Sequence, residues 1–407
     1  MTSRRLTNTK VGIVGSGPAG LMLSHLLAHD GIDSVVVDNR SRLEIEQTVR
    51  AGILEWDSVR LLVDSGVSDR VLREGQEHQG IDLAFAGGTH RIDFQELTGV
   101  SVWLYPQTDV FIDLAAARDK AEGDVRFGVT GTAVVGLTSD RPVILFTDAE
   151  GVEQEVRCDY LVGADGSHSI CREEIPIGER QEHFREYPIA WFGILCEAPK
   201  SAPELIYNHS DRGFALISQR TETVQRMYFQ CDLAENVDAW SDDRIWAELQ
   251  ARVGVNGHVL EEGPITSKNV VPFRSYVCEP MRYGNLLLAG DAAHTVPPTG
   301  AKGLNLALAD VKVLAEILER AVTKNDHDAL AEYTDRALTR VWKAQHFSYW
   351  MTTMLHQLPD ASSFDVGRQL GELFSVVGSR AGSTYLAEAY TGWATSGGDN
   401  PSGLTRR

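Results

Sequence analysis

Cysteine is scarce and unpatterned: five residues, Cys158, Cys171, Cys196, Cys231 and Cys278, with no CxxC pair. An odd number at wide spacing argues against a disulfide framework and a structural zinc site, so the thiols read as buried groups in a reducing cytoplasm. Basic charge is also short. Lysine and arginine total 38 against 57 aspartates and glutamates, a net charge of −19 at pH 7. A field of that sign repels phosphate backbones and anionic lipid, which argues against a nucleic-acid or membrane partner and leaves room only for local basic pockets. No apolar run approaches the roughly 18 residues that a membrane-spanning helix needs, and Met1 to Lys10 lacks the apolar stretch of a secretion signal. The expectation is a soluble, cytoplasmic protein. What is present is ordinary globular composition, 43% hydrophobic and 23% charged over 407 residues, which suits two or three domains or one large domain with insertions.

Val11 to Val14 reads as a strand, Gly15 to Gly20 as a glycine turn, Leu21 to Ala28 as a helix and Asp33 to Val37 as a second strand. Apolar spacing predicts helices over Asp57 to Val71, Asp109 to Ala121, Gly303 to Val322, Ala329 to Leu355 and Phe364 to Val377. Gly87 and Gly88 predict a hairpin within Leu83 to Phe94. Alternation over Ala133 to Leu137 and Pro142 to Phe146 predicts antiparallel strands, and Tyr160 to Val162 and Leu286 to Gly290 read as short buried strands. From Pro188 to Asp232 aromatics alternate with polar residues, which predicts an antiparallel sheet inserted between parts of the first domain. The tail from Ser396 onward is Gly, Ser and charge, and reads as frayed.

The turn Gly15, Ser16, Gly17, Pro18, Ala19, Gly20 follows a strand and opens a helix, and Asp38 ends the next strand. Each residue type has a reason: Gly15 permits the tight turn, Gly17 admits a pyrophosphate to backbone amides, Gly20 allows close helix–strand packing, and the acid accepts ribose hydroxyls. The helix N-terminus favours the phosphates. A dinucleotide is therefore expected. Two further turns, Gly163 to Gly166 with Asp165 and Gly290 to His294 with Asp291, each follow a short apolar strand. The three motifs in this order resemble the flavoprotein aromatic hydroxylases. The resemblance implies FAD on the N-terminal fingerprint and a nicotinamide donor, NADH or NADPH, with no Rossmann domain of its own.

Further segments, Arg50 to Glu55, Gln107 to Asp109, Glu204 to Tyr207, Arg212 to Arg220, Gly290 to Asn305 and Ala387 to Tyr390, are similar to the 4-hydroxybenzoate 3-hydroxylase branch of that family. This likeness spans about residues 10 to 393. It implies that Arg220 binds a substrate carboxylate with Ser218, Gln219 and Tyr228, a task suited to a guanidinium fork. It implies that Tyr207 bonds the substrate phenol, that Tyr390 bonds Tyr207, and that His78 ends the relay at solvent, where an imidazole titrates near neutrality. Pro298 would face the substrate hydroxyl through its carbonyl, and Lys302 would add positive potential near the flavin. Leu304 and Asn305 would touch the flavin through their backbone, with the Asn305 side chain holding Tyr390. Thr48, Val49, Arg50, Ala51, Gly52 and Ile53 would form a mobile flavin loop, and Gln107, Asp165 and Asp291 would contact FAD. His168, Arg274 and Arg40 would meet the nicotinamide donor. No metal is implied.

The implied fold is mixed α/β: a Rossmann-like FAD domain (1–72, 101–180, 275–345), a substrate domain (73–100, 181–274) and C-terminal helices (346–407) that suit a homodimer. The implied reaction joins 4-hydroxybenzoate, O2 and NAD(P)H through a flavin C4a-hydroperoxide to give 3,4-dihydroxybenzoate. Two competing readings are a hydroxylase for another substituted benzoate and a non-catalytic binding protein on the same fold. One departure bears on the donor: Asn39 and Thr48 stand where NADPH-using members carry arginine, with Glu44 and Glu46 nearby. Arg40 and Arg42 are near enough to compensate, so the tilt toward NADH is slight.

Overall fold

The computed structural model describes residues 4–48 and 52–393. The buried strand Val11–Val14 stands in a six-stranded sheet ordered Arg282–Tyr283, Leu286–Leu288, Tyr160–Gly163, Val11–Val14, Ser34–Val37, Asp124–Arg126. All neighbours are parallel except the first pair. Parallel strands covered on both faces need continuous apolar runs, and VGIV, SVVV and LLL supply them. Val14, Gly163 and Leu288 lie side by side in register, so the chain leaves all three central strands at one edge of the sheet. The glycine turns at Gly15, Gly163 and Gly290 therefore converge, at the carboxyl edge where ligands of such sheets bind.

An eight-stranded, mostly antiparallel sheet forms the other wall. Its longest strands, Gln181–Cys196 and Ile265–Glu279, pair along nearly their whole length, and the register slips between Glu186 and Ala190, beside Pro188. Near one end Tyr276 and Val277 pair with His294–Thr295, which ties this sheet to the turn after Leu286–Leu288. Further in, Tyr207 lies opposite Leu216 and Leu216 opposite Tyr228. Side chains alternate across a strand. Tyr207, Leu216 and Tyr228 thus share one face, while Ile206, Ile217 and Phe229 face the other way into a core with the helix Asp242–Gly254.

The expected mixed α/β architecture with C-terminal helices is present, and several elements go beyond the sequence pattern. The helix expected over Asp57 to Val71 is two, Trp56–Asp64 and Arg70–Glu74, because Gly66 between them turns to φ +74°. The helix expected from Ala329 starts at Tyr333, after a 3-10 segment. The helices Asp242–Gly254 and Arg380–Thr391 and the strand Ile265–Glu279 were not anticipated. The expected frayed tail from Ser396 lies outside the described residues.

Candidate active site

Between the converging turns and the eight-stranded sheet lies one continuous cavity of about 1060 Å³. It runs from Gly15, Gly17 and Asp38 past Asp165 and Asp291 to Tyr207, Ser218, Arg220 and Tyr228. That volume reaches the upper end of ordinary ligand pockets and suits a large ligand together with a small one.

At the turn end, Gly15 has φ +105°, and a Cβ there would lie 2.2 Å from the Ala164 carbonyl oxygen. A Cβ at Gly20 would lie 1.9 Å from the Gly15 oxygen, whereas one at Gly17 would meet nothing within 4 Å. Gly15 and Gly20 are thus required by packing, and Gly17 opens space at the uncapped N-terminus of the helix Pro18–His29, a place for phosphate. Asp38 accepts from Ser16 N at 2.8 Å and Ser16 Oγ at 2.9 Å through one oxygen, and from Arg40 N at 2.9 Å through the other. It braces the turn while lining the cavity. Asp165 lines the cavity too, and its carboxylate accepts from Ser169 Oγ at 2.5 Å and Cys171 N at 3.1 Å. The residues fit a dinucleotide cofactor: an open glycine, free helix amides and acids at the ribose side.

Thr48, Ile53, Gln107, Asp291 and Leu304 also line the cavity, as do Arg40, His168 and Arg274. Val49, Arg50 and Ala51 lie outside the described residues. Ser16, Gly20 and Gly52 stand behind the wall; a Cβ at Gly52 would lie 1.9 Å from the Tyr105 oxygen, so only glycine fits.

At the far end Arg220 lines the cavity, and its Nη2 has no hydrogen-bond partner among the described residues. Burial depresses its pKa, with the neighbouring Arg226 adding and Tyr228 and Asp109 opposing. Ser218 and Tyr228 line the same end. Arg226, which the sequence reading missed, lines it as well, donating from Nε to the Tyr228 hydroxyl at 3.0 Å and from Nη2 to Asn269 Oδ1 at 2.8 Å. Gln219 does not join this set. Strand alternation turns it to the opposite face, where Nε2 donates to the Pro203 carbonyl at 2.6 Å.

Leu216 is opposite Tyr207, and Arg220 follows Leu216 by four residues, roughly 13 Å along the strand. At the Tyr207 end, the Tyr207 and Tyr390 hydroxyls are 2.8 Å apart, and Tyr207 also donates to the Thr299 carbonyl at 3.3 Å. Burial pushes both phenols above their ordinary pKa, so both are protonated at neutral pH. Pro298 lines the cavity, and its carbonyl accepts from Ala301 N at 3.0 Å within the turn. His78 is placed differently from the expectation. It is 1% exposed, in the small strand Gln76–His78, and burial lowers its pKa to about 4. Its Nε2 is 3.4 Å from Gln219 Nε2, and it is not at the solvent end of a relay.

Asn305 also departs from expectation, and Lys302 sits in an ion-pair triad. Lys302 lines the cavity, but its ammonium donates to Glu55 Oε1 at 2.7 Å and the Tyr390 carbonyl at 2.8 Å. Arg340 pairs with the other Glu55 oxygen. Burial opposes the Glu55 charge, yet the two cations outweigh it and hold the carboxylate below its usual range. The triad leaves one net positive charge behind the cavity wall. The Asn305 side chain holds no tyrosine: Oδ1 accepts from Glu55 N and Ser58 Oγ, and Nδ2 donates to the Ile53 and Ala301 carbonyls. It fastens the strand Ile53–Glu55 to the loop before the helix Gly303–Thr323.

Two buried braces were not read from sequence. Arg172 donates to the Ala292 carbonyl at 3.0 Å and the Ser167 carbonyl at 2.9 Å, joining two of the turns. Asp310 accepts from Gly290 N at 2.9 Å and contacts His294 Nε2 at 2.7 Å. Arg226 was detectable, since it shares a strand face with Tyr228. The braces had no local signal.

A family profile described as FAD binding domain matches residues 8–348. The chain is 43% identical over 386 residues to p-hydroxybenzoate hydroxylase of Acinetobacter baylyi, covering 94% of this chain and 95% of that protein. It is 30% identical over 338 residues to 6-methylpretetramide 4-monooxygenase of Streptomyces rimosus, covering 78% and 77%. Among solved structures, p-nitrophenol 4-monooxygenase PnpA from Pseudomonas putida superposes with a TM-score of 0.79 at 17% identity, covering 95% of this chain and 99% of that one.

Proposed function

Because the chain belongs to the flavoprotein family of the FAD binding domain, we propose that it is an FAD-dependent monooxygenase that hydroxylates 4-hydroxybenzoate at C3. The balanced reaction consumes 4-hydroxybenzoate, O2, NAD(P)H and a proton, and releases 3,4-dihydroxybenzoate, NAD(P)+ and water. One observation carries the substrate assignment: a buried guanidinium with an unpartnered nitrogen shares a cavity with a pair of hydrogen-bonded tyrosines.

When bound, FAD supplies the redox chemistry, taking electrons from the nicotinamide donor and activating O2. The chain supplies binding, orientation and proton management. Gly17 and the helix Pro18–His29 would hold the pyrophosphate, and Asp38, Asp165 and Asp291 the polar side of the cofactor. Arg220 binds the carboxylate with Ser218 and Tyr228, relieving the unpaired charge and aligning the ring along the strand face. This leaves the para hydroxyl at Tyr207. Loss of the phenol proton makes the ortho carbon far more nucleophilic, and the Tyr207 hydroxyl, held by Tyr390, would hydrogen-bond the phenolate oxygen and so favour that loss. The net charge of the Lys302–Glu55–Arg340 triad favours anions in the site.

Arg42 is engaged by Glu46 at 2.8 Å and Asp119 at 2.6 Å, and Arg40 lies 3.5 Å from Asp38. Arg42 is thus taken up by two carboxylates, and with Asn39 and Thr48 uncharged this supports NADH as the preferred donor, Arg40 on the cavity wall being the remaining cation for a 2′-phosphate. Phe364, Phe374 and Tyr385 are exposed on the C-terminal helices, which supports a homodimer through that face. No helix among the described residues is long and apolar enough to cross a membrane, in keeping with a cytoplasmic enzyme.

The test is product analysis with purified holoenzyme, NADH and O2. 3,4-Dihydroxybenzoate is expected from 4-hydroxybenzoate, with no product from 3-hydroxybenzoate or 4-aminobenzoate. Product from either analogue alone would move the assignment to another benzoate.

A further inference from the structure

Ser348, Thr352 and His356 stand four residues apart along and just past the helix Tyr333–Leu355, one stripe on one face. All three are at most 1% exposed, none lines the cavity, and the mechanism above uses none of them. The stripe nonetheless touches two parts of the site. Thr352 Oγ1 lies 3.0 Å from Thr299 Oγ1, and the Thr299 carbonyl is the one that accepts from Tyr207. The Thr352 carbonyl lies 2.9 Å from His356 Nδ1, and His356 Nε2 lies 2.7 Å from Trp191 Nε1.

An indole nitrogen only donates, and a carbonyl only accepts. The two bonds therefore fix one form of His356: neutral, with the proton on Nδ1 and Nε2 accepting. Burial keeps it so, lowering its pKa to about 3. Trp191 lines the cavity beside Tyr228, ring centroids 4.8 Å apart, with Phe214 stacked at 5.5 Å and Phe273 edge-on at 5.1 Å. Its N–H is satisfied behind the wall.

Building on the hydroxylase reading, we propose that His356 is a positioning residue that locks the ring plane of Trp191 as an apolar wall of the substrate slot. The same stripe, through Thr352, sets the Thr299 carbonyl on which Tyr207 rests. One rigid helix thereby fixes the slot wall and the hydroxyl end relative to each other. The slot selects a thin, single aromatic ring between them, and a misplaced wall lets donor oxidation run without ring hydroxylation.

The test uses holoenzyme carrying 15N-labelled tryptophan, whose eight indole signals include Trp191, identified through Trp191→Phe. His356→Leu removes the acceptor, and His356→Gln supplies a carbonyl in its place. In His356→Leu the Trp191 indole signal is expected to shift and lose its protection from exchange while the other signals and the FAD content hold. Affinity for 4-hydroxybenzoate should fall about tenfold, the scale of one buried hydrogen bond, and product per donor oxidised should fall with it. His356→Gln should restore both. Thr352→Val, a second and milder change, should lower product per donor while leaving the Trp191 signal in place. An unchanged Trp191 signal in His356→Leu would overturn the proposal, as would a restored indole bond in His356→Gln without restored binding. If the unmodified protein binds no 4-hydroxybenzoate, the hydroxylase reading falls, and the indole signal still decides whether His356 positions Trp191.

Discussion

In the proposed reading Arg220 and Tyr207 hold opposite ends of the substrate, and their substitutions should separate binding from chemistry. Arg220→Gln keeps a polar side chain and removes the charge. Its KM for 4-hydroxybenzoate is expected to rise about 100-fold with FAD content unchanged, since a buried charged pair is worth a few kcal/mol. Steady-state kinetics checks this, and an unchanged KM would remove Arg220 from the carboxylate site. Tyr207→Phe keeps the ring and removes the hydroxyl that would bond the substrate phenolate. Product formation is expected to drop at least about 100-fold while donor oxidation continues as peroxide release, measured as product per NADH consumed. Ser218, Arg220 and Tyr228 were named through the family resemblance alone, and strand alternation in the fold puts them on one face, adds Arg226 to it and turns Gln219 away. His78 was misplaced because Gln76 to Gln79 reads as a polar surface stretch, yet the strand Gln76–His78 joins a small three-stranded sheet that buries His78 while Glu77 stays exposed. Glu55 and Lys302 are 247 residues apart, so nothing local could announce their ion pair.

Among the elements, the glycine turn separates packing from ligand binding within six residues. Gly17→Ala places its methyl in open space, so the melting temperature of the apoprotein is expected to stay the same while FAD affinity falls. Gly20→Ala drives a Cβ into the Gly15 carbonyl and should destabilise the fold itself. Thermal melts of apo and FAD-loaded protein distinguish the two, and equal effects at both positions would contradict the assignment of Gly17 to the phosphate. The turn was readable because strand, glycines and helix form one local unit. The strand Ile265–Glu279 was not, since it is mostly half-exposed and shows no clean alternation. The helix Arg380–Thr391 begins on small and polar residues and carries little apolar signal until Leu386, so the likeness at Ala387 to Tyr390 marked its end better than periodicity did.

For the whole molecule, two buried histidines give stability a pH dependence. His78 and His356 have pKa values lowered to about 4 and about 3, from 6.5. The unfolded chain takes up these protons below pH 6.5 and the folded chain does not, so this stability is present above 6.5 and is lost as pH falls toward 4. The loss is on the order of 2 to 3 kcal/mol per histidine by pH 4. Melting temperatures between pH 7 and 4.5 should fall, and less steeply in His78→Gln and His356→Gln; identical slopes would contradict the burial argument. His294, raised by Asp310 against the effect of burial, acts in the opposite direction, its stability lost as pH rises through its raised pKa. The central claim is that one cavity couples recognition of 4-hydroxybenzoate to flavin chemistry. Anaerobic reduction of the holoenzyme by NADH and by NADPH, with and without 4-hydroxybenzoate and followed by admission of O2, tests it most directly. The expected result is faster flavin reduction with substrate, NADH as the faster donor, and 3,4-dihydroxybenzoate after oxygen. Bound FAD whose reduction ignores 4-hydroxybenzoate, with no hydroxylated product, would contradict the claim and the roles given to Arg220 and Tyr207.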